Sequence, residues 1–215
     1  MREKQTTEIK NIIFDLGGVL LNINPLLSLN EFAALSSNTP EELYKRLESE
    51  KIFEKFETGS INSDEFHAEL CRIMKKTVDA VEINRAWNLM LMDFPIHRVT
   101  LLQQLKNNYR VYLLSNTNSI HYKHFTTEFY NAYRFHLNSL FDELFLSYEI
   151  GKHKPDPAIF KIVLENGGFD ASECLFIDDS LLNVKAAEQF GIRCINITKD
   201  RDVTQYFENG KYLPE

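Results

Sequence analysis

Five short apolar runs, at residues 11–15, 111–115, 144–147, 174–178 and 193–197, constrain this chain more than any other feature. Most lack strict alternation, which is the pattern of strands buried on both faces, as in a parallel sheet covered by helices. Three of them end in a polar group: Asp15, Ser115 and Asp178. In open α/β sheets the ligand crevice lies outside the carboxyl ends of the strands. One sheet of this kind gathers these three residues, distant in sequence, at a single site. The expected fold class is α/β, a doubly wound parallel sheet.

Nearly one hundred residues separate the first two runs, too many for a single crossover helix. Thr39-Pro40-Glu41-Glu42 predicts an N-cap, a Pro at the first helical position and a capping-box acid. Asn62-Ser63-Asp64-Glu65 offers a second helix start, followed by Phe66, Leu70 and Ile73 on one face. Gly59 separates the two patterns. Residues 21–95 are therefore expected to form a small helical cap inserted into a core made of residues 1–20 and 96–215. Further on, Asp156-Pro157 predicts an N-cap and N1 pair with a stop at Gly167-Gly168, and a helix after Ser180 is expected to run to Gly191. The aromatic stretch 119–143 reads as a helical face packed into the core.

Composition narrows the partners. The 215 residues are 44% hydrophobic and 26% charged with a net charge of −7, and no Lys/Arg stripe suggests nucleic acid. Met1-Arg2-Glu3-Lys4-Gln5 lacks the apolar run of a leader, and no stretch of about 18 apolar residues suggests a membrane span. Cys71, Cys174 and Cys194 are widely separated and odd in number, which fits buried thiols better than a disulfide framework or a zinc site. The expected location is the cytoplasm, and the acidic balance does not exclude an anionic small substrate, which needs only a local positive site. Oligomeric state has no signature in the sequence.

Each polar feature has a purely structural explanation when taken alone. Asp15 can close a turn, Ser115-Asn116-Thr117-Asn118 can cap a helix, and Lys154 can be a solvated lysine. Asp178-Asp179 directly after an apolar strand is the costliest arrangement and points to function by itself. Together the residues suit phosphoryl transfer, where the protein supplies position and charge. The Ser115 hydroxyl with nearby N–H groups can hold phosphate oxygens, and Lys154 can add a point charge. Asp15, Asp178 and Asp179 form an all-oxygen set suited to Mg2+. A carboxylate nucleophile then gives an aspartyl phosphate that water hydrolyses.

The order of these motifs resembles the haloacid dehalogenase-like hydrolase superfamily over nearly the whole chain. Phe14-Asp15-Leu16-Gly17-Gly18-Val19-Leu20 is similar to its first motif and Leu113-Leu114-Ser115-Asn116 to its second. Lys154-Pro155-Asp156-Pro157 is similar to the third, and Phe176-Ile177-Asp178-Asp179-Ser180 with Asn183 and Ala186-Ala187 to the fourth. The resemblance implies a Rossmann-like core, a substrate-covering cap and a Mg2+-dependent phosphatase. It makes Asp15 the nucleophile and Lys154 the motif lysine. It places Ser115, Asn116 and Lys154 on the phosphate, and Asp15, the Gly17 carbonyl, Asp178 and Asp179 around the metal. Asp179 is the favoured direct ligand, with Asp178 either ligating or orienting Lys154 and a metal water. The Asp-Leu-Gly opening, the Leu-Ser-Asn-Thr-Asn stretch and Gly59-Ser60-Ile61-Asn62 narrow the resemblance. They are similar to the bacterial α-D-glucose-1-phosphatase branch and the phosphatase domain of soluble epoxide hydrolases.

The departure is Gly17, where most phosphatases of the superfamily carry a second aspartate as general acid and base. An anomeric phosphate, with its more acidic leaving hydroxyl, would depend less on that acid, and the remainder falls to water or to a cap residue. Three competing readings stay in view. A dehalogenase shares the nucleophile, but Asp178 and Asp179 would repel a carboxylate substrate. A catalytically weakened protein that binds a phosphorylated ligand is motivated by Gly17 and opposed by Asp15, Ser115, Lys154 and Asp179. A response-regulator receiver would carry its acidic pair near the first strand and no large insert. Asn24 and Trp87 gain no role at this level.

Overall fold

The structure is a computed structural model and describes residues 8–36 and 38–214. The N-terminal stretch read for a leader lies outside them. The apolar runs become β1 (Asn11–Phe14), β2 (Arg110–Ser115), β3 (Glu143–Leu146), β4 (Cys174–Asp178) and β5 (Arg193–Asn196). They pair in parallel in the order β3-β2-β1-β4-β5. Alternate residues face opposite layers, as the two-residue period of a strand requires. Ile12, Phe14, Val111, Leu113, Leu175 and Ile177 enter one buried cluster. Ile13, Tyr112, Leu114, Cys174 and Phe176 enter the other. Helices α6 (Ile96–Leu105) and α7 (Ser119–Tyr133) cover the first face, and α9 (Pro157–Gly167) and α10 (Leu181–Glu188) cover the second. This is the doubly wound Rossmann-like sheet expected from the runs. A short hairpin of β6 (Phe207–Glu208) and β7 (Lys211–Tyr212) follows.

Between β1 and α6 the chain forms α1 (Pro25–Leu35), α2 (Pro40–Ser49), α3 (Ile52–Glu57), α4 (Ser63–Met74) and α5 (Ala80–Asn88). These bury a cluster of their own around Phe32, Leu43, Leu47, Phe56, Phe66, Leu70 and Trp87. Both capping boxes form, Thr39 with Glu42 and Asn62 with Glu65. The segments that enter and leave this bundle pair as a short antiparallel ladder. Asn22 N–H donates to the Asp93 carbonyl (2.9 Å), Asn24 N–H to Met90 (2.8 Å) and Met92 N–H to Asn22 (2.9 Å). Two side-chain contacts seat the bundle on the sheet layer: His121 Nε2 lies 3.1 Å from the Trp87 carbonyl, and Ser63 Oγ 3.1 Å from Ser119 Oγ.

Several local expectations shift. α10 stops at Glu188 rather than Gly191, because Gly191 takes a positive φ of 81° in the turn into β5. Ser147 belongs to α8 (Ser147–Ile150) instead of the preceding strand. Of the aromatic stretch, Phe125 and Phe129 are buried but Tyr130 is exposed. The three cysteines are free thiols. Among the described residues no helix is long and apolar enough to cross a membrane.

Candidate active site

Asp15 follows β1 directly, and its N–H donates to the Ile177 carbonyl at 2.8 Å, extending the β1–β4 pairing by one step. The chain then turns sharply: the N–H groups of Leu20 and Leu21 both reach the Leu16 carbonyl at 2.8 Å. Gly18 makes that turn possible. Its φ is +76°, and a Cβ there would collide with the Asp179 carboxylate. The glycine pair thus does more than bend the chain, because it lets the acid after β4 lie against the loop after β1.

Lys154 is the centre of the site. It is 2% exposed, and its ammonium sits 2.7 Å from Asp15 Oδ1, 2.7 Å from Asp178 Oδ2 and 2.8 Å from the Leu114 carbonyl. An ammonium has three N–H donors, and all three are taken. Burial opposes the charge, but Asp15 and Asp178 outweigh it and hold the lysine above its ordinary value. Burial also pushes the Asp15 carboxyl up to about 7, against the pull of Lys154 and with help from Asp178.

Asp178 is fully buried and fully engaged. Oδ1 accepts from Ser180 N–H (2.8 Å) and Asn183 Nδ2 (2.9 Å), while Oδ2 accepts from Lys154 and, at 3.1 Å, from Asn183. That pattern supports the orienting role over direct ligation. Asp179 is exposed at the rim, and loss of water around it and then the Asp178 charge push its carboxyl up. Asp15, Asp178 and Asp179 bring carboxylate oxygens within 4.8 Å of one another. This donor set is all oxygen, and it crowds anions that a hard divalent cation would relieve, so it fits Mg2+.

Ser115 ends β2, buried, and its hydroxyl has only a 3.5 Å contact to the Asn116 carbonyl. Asn116, expected on the phosphate, turns its side chain elsewhere. Its Oδ1 accepts from the Lys154 N–H and its Nδ2 donates to the Lys154 carbonyl, both at 2.8 Å. The side chain therefore positions Lys154, leaving the Asn116 backbone as the part free to face an anion. Buried Ser147 steadies the same loop through its hydroxyl, which receives Thr117 N–H (2.9 Å) and donates to the Thr117 carbonyl (3.0 Å). Nothing local in the sequence announces Ser147, whereas Asn183, two residues into a helix after an acidic pair, is visible as part of the fourth motif.

The insert bundle contributes a cavity of about 790 Å3 lined by Pro25, Leu26, Phe53, Glu57, Trp87 and Met90 among others. A second cavity, lined by Gly18 and Asp179, shares Pro25 and Leu26 as wall. Trp87 stacks on Phe53 at 4.7 Å, and its buried indole N–H has no hydrogen-bond partner. Asn24 is the N-cap of α1 and has its side chain on Leu26 N–H.

Comparison with known proteins bears on this geometry. The model of the haloacid dehalogenase-like hydrolase family matches residues 9–191. A D-ribitol-5-phosphate phosphatase of Bacteroides thetaiotaomicron is 30% identical over 183 residues, which are 85% of this chain and 89% of that one. A sesquiterpene phosphatase of Aspergillus oryzae is 27% identical over 89% of this chain and 91% of its own length. A crystal structure of a family enzyme from Bacteroides thetaiotaomicron, in complex with magnesium and inorganic phosphate, superposes with a TM-score of 0.86. It is 36% identical and covers 93% of this chain and all of the other.

Proposed function

The chain belongs to the haloacid dehalogenase-like hydrolase family, and we propose that it is a Mg2+-dependent phosphatase of a small phosphorylated metabolite, a sugar or sugar-alcohol phosphate. The observation that carries this reading is the buried Lys154 bridge between Asp15 and Asp178, with Asp179 at the rim. A neutral substrate needs no such charge set. A phosphate dianion does, because its equatorial oxygens must be neutralised while an anion attacks.

In this mechanism Lys154 fixes Asp15 through Oδ1, so the carboxylate is held in one orientation for attack. Phosphorus transfers to Asp15, and the leaving oxygen departs on the side away from the sheet. Esterified Asp15 carries less charge, which frees Lys154 to turn one donor toward the phosphoryl oxygens. The Ser115 hydroxyl and the N–H groups of the 115–117 loop complete that cradle. Asp15, Asp179 and the Gly17 carbonyl would hold Mg2+, and Asp178 serves by fixing Lys154. When bound, the ion neutralises charge between nucleophile and substrate. The carbon portion of the substrate belongs in the 790 Å3 cavity, where Glu57 can meet hydroxyl groups. Support for a sugar-like substrate also comes from the ribitol phosphate phosphatase relative, and glucose 1-phosphate is the anomeric member of the same class.

The test is a panel of phosphomonoesters, including ribitol 5-phosphate, glucose 1-phosphate and farnesyl phosphate, assayed with Mg2+ and with EDTA. Hydrolysis of the sugar-type esters should vanish without the metal. Asp15→Asn should lower kcat by about 10⁴-fold or more while leaving the melting curve in place. Turnover of no member would refute the phosphatase reading, and preference for farnesyl phosphate would refute the sugar assignment.

A further inference from the structure

Gly17 leaves the reaction without the acid that usually stands beside the nucleophile. In-line displacement sets the leaving oxygen across phosphorus from the attacking one. With Asp15 on the sheet edge, the leaving oxygen faces away from the sheet, so a replacement acid other than water has to come from a segment lying over that edge.

Glu57 meets that requirement. It is the last residue of α3, the helix that the bundle sets against the segment leading to Lys154. His153 Nε2 lies 3.9 Å from Glu54 Oε1, one turn before Glu57. Just beyond, Gly59 packs under the Tyr148 carbonyl with a φ of +66°, an approach that any Cβ would block. Glu57 itself is partly buried, lines the 790 Å3 cavity, and has no hydrogen bond or ion pair among the described residues. The Lys154 ammonium, the Asp178 carboxylate and the Asn116 side chain are fully committed, whereas the Glu57 carboxyl is not. Burial pushes the Glu57 carboxyl up to about 7, with His153 and Lys154 opposing the rise. A group titrating there is present as both acid and base at neutral pH. The other ionisable groups facing this region are Glu54 on the same helix and Glu41, Tyr44 and Lys45 on α2.

We propose that Glu57 is the general acid and base of this site, replacing from the bundle what Gly17 lacks in the core. As Asp15 bonds to phosphorus, the bond to the leaving oxygen breaks, and that oxygen keeps its electron pair and takes the Glu57 proton. Water then attacks the aspartyl phosphate, giving its proton to the Glu57 carboxylate. The phosphorus bond to Asp15 breaks and the carboxylate returns. One water is consumed, and one alcohol and one inorganic phosphate are released. This inference rests on the phosphatase reading above.

Leaving-group dependence tests it. p-Nitrophenol leaves without a proton, whereas an alkoxide needs one. With Glu57→Gln, kcat on the best alkyl phosphate of the panel should fall 10²–10⁴-fold. With p-nitrophenyl phosphate the same variant should keep a burst of one equivalent of p-nitrophenol at close to the wild-type rate, followed by a slowed steady state. The kcat/KM limb near pH 7 on the alkyl substrate should vanish, and Glu57→Asp should restore part of the rate. An equal loss of burst rate on both substrates, or an alkyl rate unchanged in both variants, would overturn the proposal. Failure of wild type itself to cleave p-nitrophenyl phosphate with Mg2+ would instead overturn the phosphatase reading, and this inference with it. Glu57→Gln should melt no lower than wild type, because it removes an unpaired carboxyl.

Discussion

The sheet edge and the bundle cavity are built on opposite rules. At the edge Lys154, Asp178 and Asn116 are fully committed, with three acceptors on Lys154, four contacts on the Asp178 carboxylate and two on the Asn116 side chain, while Asp179 at the rim and the weakly held Ser115 hydroxyl are the exceptions. In the cavity the walls are largely apolar; Ser28 and Tyr44 there are hydrogen-bonded, but the Glu57 carboxyl has no partner among the described residues. A closed network fixes geometry before substrate arrives, and open valences wait for groups that only a substrate brings. The difference separates what is constant in the chemistry, phosphoryl transfer, from what varies, the leaving group.

The sharpest way to break this contrast is to remove the hub of the closed network. Lys154→Met leaves Asp15 and Asp178 buried without their counter-charge, which should cost about 3–5 kcal/mol of stability. It should also lower kcat by at least about 10²-fold, since positioning and charge are lost together. Denaturant unfolding and steady-state kinetics read the two effects. A variant as stable as wild type would mean that the network is not what holds the edge in shape.

A smaller effect is expected at the seam between the two regions. His121 on α7 is buried against Trp87, with ring centroids 4.4 Å apart. Burial holds its imidazole neutral down to about 3, with the Trp87 carbonyl opposing and His124 assisting. The unfolded chain takes up this proton near pH 6.5. Between the two values the unfolded state binds more protons, so stability is full above about pH 6.5 and falls with acidification, by at most about 1.4 kcal/mol per pH unit. His121→Phe keeps the stack and removes the proton site. Melts at pH 7 and 4.5 should therefore differ less in the variant, and an unchanged slope would remove His121 as the cause.

The smallest effect belongs to the cavity. Trp87→Phe deletes a buried N–H that no protein atom accepts and shrinks the ring stacked on Phe53 and His121, so stability should fall by about 1 kcal/mol. Because the N–H is buried beneath the cavity surface, KM for the sugar-type ester should stay within about twofold of wild type. A several-fold rise in KM would mean that a substrate hydroxyl reaches the indole.

The same division explains what could be read without coordinates. The strands were legible because each is a short apolar run, three of them with a polar end. Two bundle helices were legible because Thr39–Glu42 and Asn62–Glu65 are local capping signals. By contrast α3 is six residues long and starts from a left-handed Lys51 with no side-chain cap, so nothing local marks it. The acidic pair and Asp15 could be placed at one edge by strand order. Which atoms Asn116 and Lys154 spend on each other could not, because it depends on a contact 38 residues apart in sequence. Glu57 was invisible for the same reason: one more surface acid by sequence, and a partly buried carboxyl without a partner among the described residues only once α3 docks.

Gly59 carries a consequence for engineering. Just past the helix bearing Glu57, the chain meets the core backbone to backbone, with Gly59 under the Tyr148 carbonyl where no Cβ has room. Exchanging bundles among relatives is an obvious route to new specificity, and pocket walls are the obvious thing to redesign. A donor bundle with any side chain at this position would sit higher by about the thickness of a methyl group and lift its helix end away from the sheet edge. Successful chimeras should therefore be those that keep a glycine at the joint, whatever they do to the walls.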